Sequence, residues 1–194
     1  MAITQEVAHE VISNALELAR GIKEAVMEEA ENPVMGIQPL LVIGWGDTVE
    51  EGGGIVELDM SNGGNPAEVL PIVLNDLQKD GHLDKWSWIC LVTEAFIDKR
   101  VSEEGYERGD AEKDYKENPF TTVKETMVAS IFTYDFQQFA GFQTFALDDF
   151  GKPVYEELEF QEEGAGSGGV IPFIFRSFTE FCHIREIKKQ AEGN

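Results

Sequence analysis

The sequence predicts an α+β fold, a single antiparallel-rich sheet of five to six strands with three helices packed on it. Three observations carry that expectation. Two long segments, one at each end of the chain, repeat apolar residues at three- and four-residue intervals. Several shorter segments between them alternate apolar and polar residues with a period of two and are separated by turn-rich stretches. The order of elements, helix, two strands, helix, four strands, helix, lacks the regular strand-helix alternation of a parallel doubly wound sheet.

From Ile3 to about Glu31, Ile3, Val7, Val11, Ala15, Leu18, Ile22 and Val26 recur at helical spacing with glutamates between them. Pro33 then stops the pattern. Leu40 to Trp45 and Gly54 to Met60 read as two strands of a hairpin joined by Gly46 to Gly53. Asn65, Pro66 and Glu68 combine a side-chain acceptor at an N-cap, a residue preset for the first helical position and the acid of a capping box. The helix they start is expected to reach Lys79, end at Gly81 and bury Val69, Leu70, Ile72, Val73 and Leu77. Trp86 to Ile97 is apolar on both alternating faces, which marks a central strand covered on both sides. Trp86, Trp88, Cys90, Val92 and Phe96 form one face, and Ile89, Leu91, Ala95 and Ile97 the other.

At Asp98 the composition changes. Residues 98–118 hold eight acids and five bases with no period of either kind, and read as a mobile acidic loop in an otherwise single domain spanning 1–194. Thr121 to Phe136, Phe139 to Leu147 and Val154 to Phe160 follow as three strands of a meander. The glycines of 164–169 lead into a last helix over about Pro172 to Lys189, which presents Phe173, Phe178, Phe181, Ile184 and Ile187.

The 194 residues include 37 acids against 15 bases, a net charge of -22. Backbone binding to nucleic acid and adhesion to anionic membranes both need a surplus of Lys and Arg, so neither is expected. The 13 Phe, 3 Trp and 4 Tyr supply enough apolar surface for a packed core. The acids spread over both halves: residues 1–97 carry 17 acids and 4 bases, residues 98–194 carry 20 and 11. The last helix departs from this pattern because Arg176, Arg185, Lys188 and Lys189 outnumber its acids. No basic apolar leader opens the chain and no window approaches a membrane span, so a cytoplasmic setting is expected. Cys90 and Cys182, far apart in the sequence, read as reduced core residues.

The chemistry-bearing candidates are few. Glu94 shares an apolar strand face by strict alternation, and a carboxylate there is costly to bury unless paired. Its expected fates are escape to solvent or pairing with Arg100 or Lys124, a structural ion pair, or service as a general acid or base. The segment Gly164-Ala165-Gly166-Ser167-Gly168-Gly169 formally contains a dinucleotide fingerprint, but the acids Glu159, Glu162 and Glu163 beside it repel a pyrophosphate, and it reads as a linker. Asp149-Phe150-Gly151 matches a magnesium-holding string of protein kinases and reads here as a hairpin turn. His9, His82 and His183 have no local metal-ligand spacing. The acidic stretches Asp47 to Glu51 and Glu156 to Glu163 lack the alternating ligands and glycine of a calcium loop. No cofactor and no metal site is expected.

The run Leu91-Val92-Thr93-Glu94-Ala95-Phe96, followed by a charged loop and a long strand, resembles uncharacterised small phage- and prophage-encoded α+β proteins. The resemblance covers about a third of the chain. It implies a viral or mobile-element origin, with the host cytoplasm as the setting, and transfers no catalytic residue.

These observations lead first to a non-enzymatic binding or accessory protein that acts through a protein partner or as an oligomer. The apolar stripe of the first helix, longer than one small sheet would cover, and the Phe-rich last helix point that way. A second reading is an acid-dependent or divalent-metal-dependent hydrolase, with Glu94 and at least two of Asp59, Glu125 and Asp135 in one pocket. A third, from the charge alone, is an acidic DNA-mimic inhibitor.

Overall fold

The computed structural model describes residues 3–29, 37–46, 53–60, 65–84, 86–98, 123–161 and 170–192. Among them the chain runs α1 (Gln5–Glu29), β1 (Leu40–Gly44), β2 (Gly53–Glu57), α2 (Pro66–Lys79), β3 (Trp88–Asp98), β4 (Val123–Thr133), β5 (Gln138–Leu147), β6 (Pro153–Tyr155), β7 (Glu159–Gln161) and α3 (Val170–Glu192). The α+β architecture expected from the sequence is present. One antiparallel sheet has the order β2-β1-β3-β4-β5-β6, and β7 pairs β5 beside β6. The stretch 154–160 is two three-residue strands rather than one, because β6 pairs the end of β5 at Phe145 to Leu147 while β7 pairs Ala140 to Phe142. The segment 99–122, which includes nearly all of the acidic loop, lies outside the described residues, as do 47–52 and the glycine-rich 162–169.

β3 and β4 form the centre of the sheet, paired over Trp88↔Thr133 to Asp98↔Val123. Each face of the sheet carries its own core. On one, α1 lays Ala8, Val11, Ile12, Ala15, Leu16 and Ala19 against Trp88, Cys90 and Val92 of β3 and Met127, Ala129 and Ile131 of β4. The alanines let the helix approach closely, and Gly141 of β5 faces Ile12 so tightly that an added Cβ would lie 2.7 Å from Ile12 Cγ2. The stripe of α1 is thus buried by the sheet and leaves no large unpartnered surface, contrary to the sequence expectation. Its buried line is also rotated from the predicted one: Val7, Leu18, Ile22 and Val26 are only partly buried, whereas Ala8, Ile12, Leu16 and Lys23 are buried. The expected line runs mostly in four-residue steps, longer than the 3.6-residue turn, so it drifts around the helix along its length.

On the opposite face, α2 and α3 cover Leu41 and Ile43 of β1, Ile89 and Leu91 of β3 and Phe132 of β4. Trp86 belongs to this second core. It precedes the first residue of β3, so the strand alternation that placed it beside Trp88 does not extend to it. The start of α2 follows its sequence signal: Asn65 is extended at the N-cap, its Oδ1 accepts from the Ala67 backbone N–H at 2.9 Å, and Pro66 opens the helix. Asp80 caps the other end, and Gly81 then takes a left-handed φ of 80°. α2 buries Leu70, Leu74 and Gln78, while Ile72, expected inside, is exposed. The deepest anchor of α3 is Phe175, stacked on Phe132 with ring centroids 4.0 Å apart.

Candidate functional site

Glu94 lies on the α1 face of β3, two residues past buried Val92 and opposite Met127. Its Oε1 accepts from Lys23 Nζ at 2.7 Å, and the two side chains are 4% and 20% exposed for Lys23 and Glu94. Of the partners expected for Glu94, Arg100 and the side chain of Lys124 lie outside the described residues. The base comes from α1, where Lys23 stands one turn beyond Ala19 on the buried line and also places Nζ over the Phe145 ring, 4.7 Å from its centroid. Arg20, one turn earlier, lies over Tyr155 at 5.5 Å. Burial and the nearby Glu24 carboxylate push the Tyr155 phenol up to about 12. The arrangement neutralises two charges against a wall of rings, which is the chemistry of a structural pair rather than of a proton shuttle open to substrate.

Of the three acids expected to join Glu94, one is its neighbour and two lie elsewhere. Glu125 lies on the same face of β4, diagonal to Glu94 across the register. Asp59 is exposed just past β2, two strands away, and Asp135 is exposed in the β4–β5 turn at the other end of β4, where Thr133 Oγ1 donates to it. Among the described residues no group of three or more His, Cys, Asp or Glu could hold a metal ion. His9 stacks on Phe160 at 3.9 Å between centroids, and His183 Nε2 lies 3.0 Å from the Tyr134 carbonyl oxygen. His82 is exposed beyond α2, where its carbonyl accepts from Trp45 Nε1.

Asp149-Phe150-Gly151 is a turn: Asp148 Oδ1 accepts from the Phe150 and Lys152 N–H groups, each at 2.8 Å, and Gly151 has φ 76°. Cys90 is buried in the α1 core and Cys182 in the α2–α3 core, so the sheet separates the two free thiols. Burial pushes the Cys90 thiol up to about 12, far from a nucleophile's range. Burial also raises the Cys182 thiol.

A cavity of about 250 Å³ opens where α2, the approach to β3, the β4–β5 turn and α3 meet. Gln78, Asp84, Trp86, Tyr134, Cys182 and Glu186 are in its walls. Part of its lining is hydrogen-bonded within itself, Gln78 Nε2 donating to Asp84 Oδ1 at 3.3 Å and Cys182 Sγ to Gln78 Oε1 at 3.6 Å, whereas the buried Trp86 Nε1 and Tyr134 Oη have no hydrogen-bond partner among the described residues. Burial, followed by Glu186, raises the Tyr134 phenol above its usual range. Neither Glu94 nor its three proposed companions line this cavity.

The feature that stands out on the surface is the outer side of α3. Its inner side buries Phe175, Thr179 and Cys182. Opposite them, Val170, Phe173, Phe181, Ile184 and Ile187 are each more than half exposed. At 100° per residue these five fall within an arc of about 120°, with exposed Ser177 and Glu180 standing in the same arc between Phe173 and Phe181. Other exposed apolar residues, such as Phe150 in the β5–β6 turn and Ile72 on α2, sit on separate elements. α3 also carries Arg176, Arg185, Lys188 and Lys189 against Glu180, Glu186 and Glu192, so this apolar strip lies on a near-neutral helix of a strongly acidic chain. The sequence had directed attention to this helix but could not assign its faces: Phe178 turns inward and is partly buried, while Phe173, Phe181, Ile184 and Ile187 turn out.

No family model, no curated protein and no solved structure matches the chain. No helix among the described residues is long and apolar enough to cross a membrane.

Proposed function

We propose that this chain is a non-enzymatic binding or accessory protein that works by protein–protein contact through the outer face of α3. The observation that carries the reading is the double burial code of that helix. An amphipathic helix on a sheet needs one apolar side, and α3 has a second set of exposed apolar residues, at Val170 and Phe173 and again at Phe181, Ile184 and Ile187. A set of large apolar residues exposed on one side of a helix is the usual mark of a contact surface, and the helix's near-neutral charge removes the repulsion that the rest of the chain presents to another acidic protein. An intracellular setting fits the two free buried thiols, and a phage origin remains part of the proposal from the strand resemblance. The engagement of Glu94 by Lys23 supports a structural role for the one acid on which the hydrolase reading depended.

Position-specific photo-crosslinking tests the proposal. Ser177 is exposed within the apolar arc of α3, and Asn75 is exposed on α2. A photoreactive residue at 177, introduced into the chain in its native cell, is expected to form a discrete adduct with a protein, and one at 75 is not. Adducts from neither position, or the same adducts from both, would overturn the reading.

A further inference from the structure

We infer that the occupant of the α3 outer face is a second copy of this chain, laid antiparallel along the same face about a two-fold axis. The inference rests on the reading of that face as a protein-contact surface and names its partner.

The first support is the spacing of the strip. Val170 and Phe173 at one end and Ile184 and Ile187 at the other are the same distance from a midpoint between Phe178 and Thr179. An antiparallel pairing centred there sets Phe173 against Ile184 of the second copy near the middle of the strip and Val170 level with its Ile187; Val170 and Ile187 lie on opposite edges of the strip, so they meet when the two helices cross at an angle. An isologous contact requires such self-complementarity, because each residue pair occurs twice.

The second support is charge. Arg176 and Glu180 lie on the same flank of the strip, exposed, with Arg176 Nε 3.4 Å from Glu180 Oε1 within the helix. Residues on one flank of an antiparallel helix pair face the same flank of the partner helix. With the midpoint above, the level counterpart of Arg176 is Phe181 and that of Glu180 is Ser177, so Arg176 and Glu180 of the second copy stand one residue, about 1.5 Å, off level, within reach of their long side chains. The pairing brings opposite charges together twice and joins the two chains through their near-neutral helices, where the remaining surface of a chain of net charge -22 would repel its copy.

Sedimentation of the purified full chain over a range of concentrations, with charge-swapped variants, tests this. The native chain is expected to dimerise reversibly. Arg176→Glu and Glu180→Arg should each weaken the dimer by about tenfold by setting like charges opposite each other twice, and the double swap should restore it. Far-ultraviolet circular dichroism confirms that each variant keeps its helix. A native chain that sediments as a monomer throughout overturns the second copy as occupant, while the crosslink from position 177 still decides whether the face binds a different protein. A dimer indifferent to the single swaps, or not restored by the double swap, overturns the antiparallel pairing.

Discussion

Glu94→Gln is expected to lower the free energy of unfolding by about 2–3 kcal/mol, because it leaves the Lys23 ammonium buried without its carboxylate. The figure is set below that for a fully buried pair, since Glu94 retains some solvent contact and the Phe145 ring continues to face the ammonium. Lys23→Met should be destabilising for the converse reason. The double variant Lys23→Met/Glu94→Leu should recover to within about 1 kcal/mol of the native chain, as buried pairs replaced together by apolar groups commonly do. Urea unfolding of the four proteins measures the cycle. A Glu94→Gln protein as stable as the native chain would contradict the structural role and return Glu94 to the list of functional acids.

The second large effect is expected at Gly44. It pairs with Trp88 across the β1–β3 register, and a Cβ at position 44 would stand 2.0 Å from Trp88 Cε2 and 2.2 Å from Cζ2. The buried indole lies where any side chain at 44 would have to go, and its rigid ring has no flexible end to yield. Gly44→Ala should therefore cost about 3 kcal/mol, at the upper end of overpacking penalties. Gly54→Ala on β2, where the added carbon meets nothing within 4 Å, should leave stability nearly unchanged. Adding Trp88→Leu to Gly44→Ala makes room at the contact, so the double variant should lose less than the sum of the two single losses. A Gly44→Ala protein that unfolds with the native midpoint would show that the indole does not occupy this position.

The particular residues show why some of this was legible in the sequence and some was not. The Asn65-Pro66 start of α2 and the antiparallel run from β3 to β5 depend on local rules, the side-chain reach to an N–H two residues on and the alternation of a strand, and both were readable directly. Trp86 was placed on the wrong face because alternation was carried back past the first residue of β3. Lys23 was missed as the partner of Glu94 because it is 71 residues away in sequence, on an element whose orientation only packing decides. A signal did exist: one base on the apolar line of a helix and one acid on the apolar face of a strand each need a partner, and each was the other's. The outer face of α3 was half visible. The sequence identified a Phe-rich, near-neutral helix, but when apolar residues surround a helix its periodicity cannot tell which side meets the sheet.

Placing charge in the exposed strip of α3 without touching the core tests whether two copies of this chain meet there. Phe173 and Phe181 are exposed, so Phe173→Asp/Phe181→Asp should preserve the helical signal and the urea midpoint. Sedimentation velocity of the native chain and of this variant, at matched concentrations, is the measurement. The native chain is expected to associate as concentration rises and the variant to stay a monomer; identical sedimentation of the two proteins would overturn the dimer on this face.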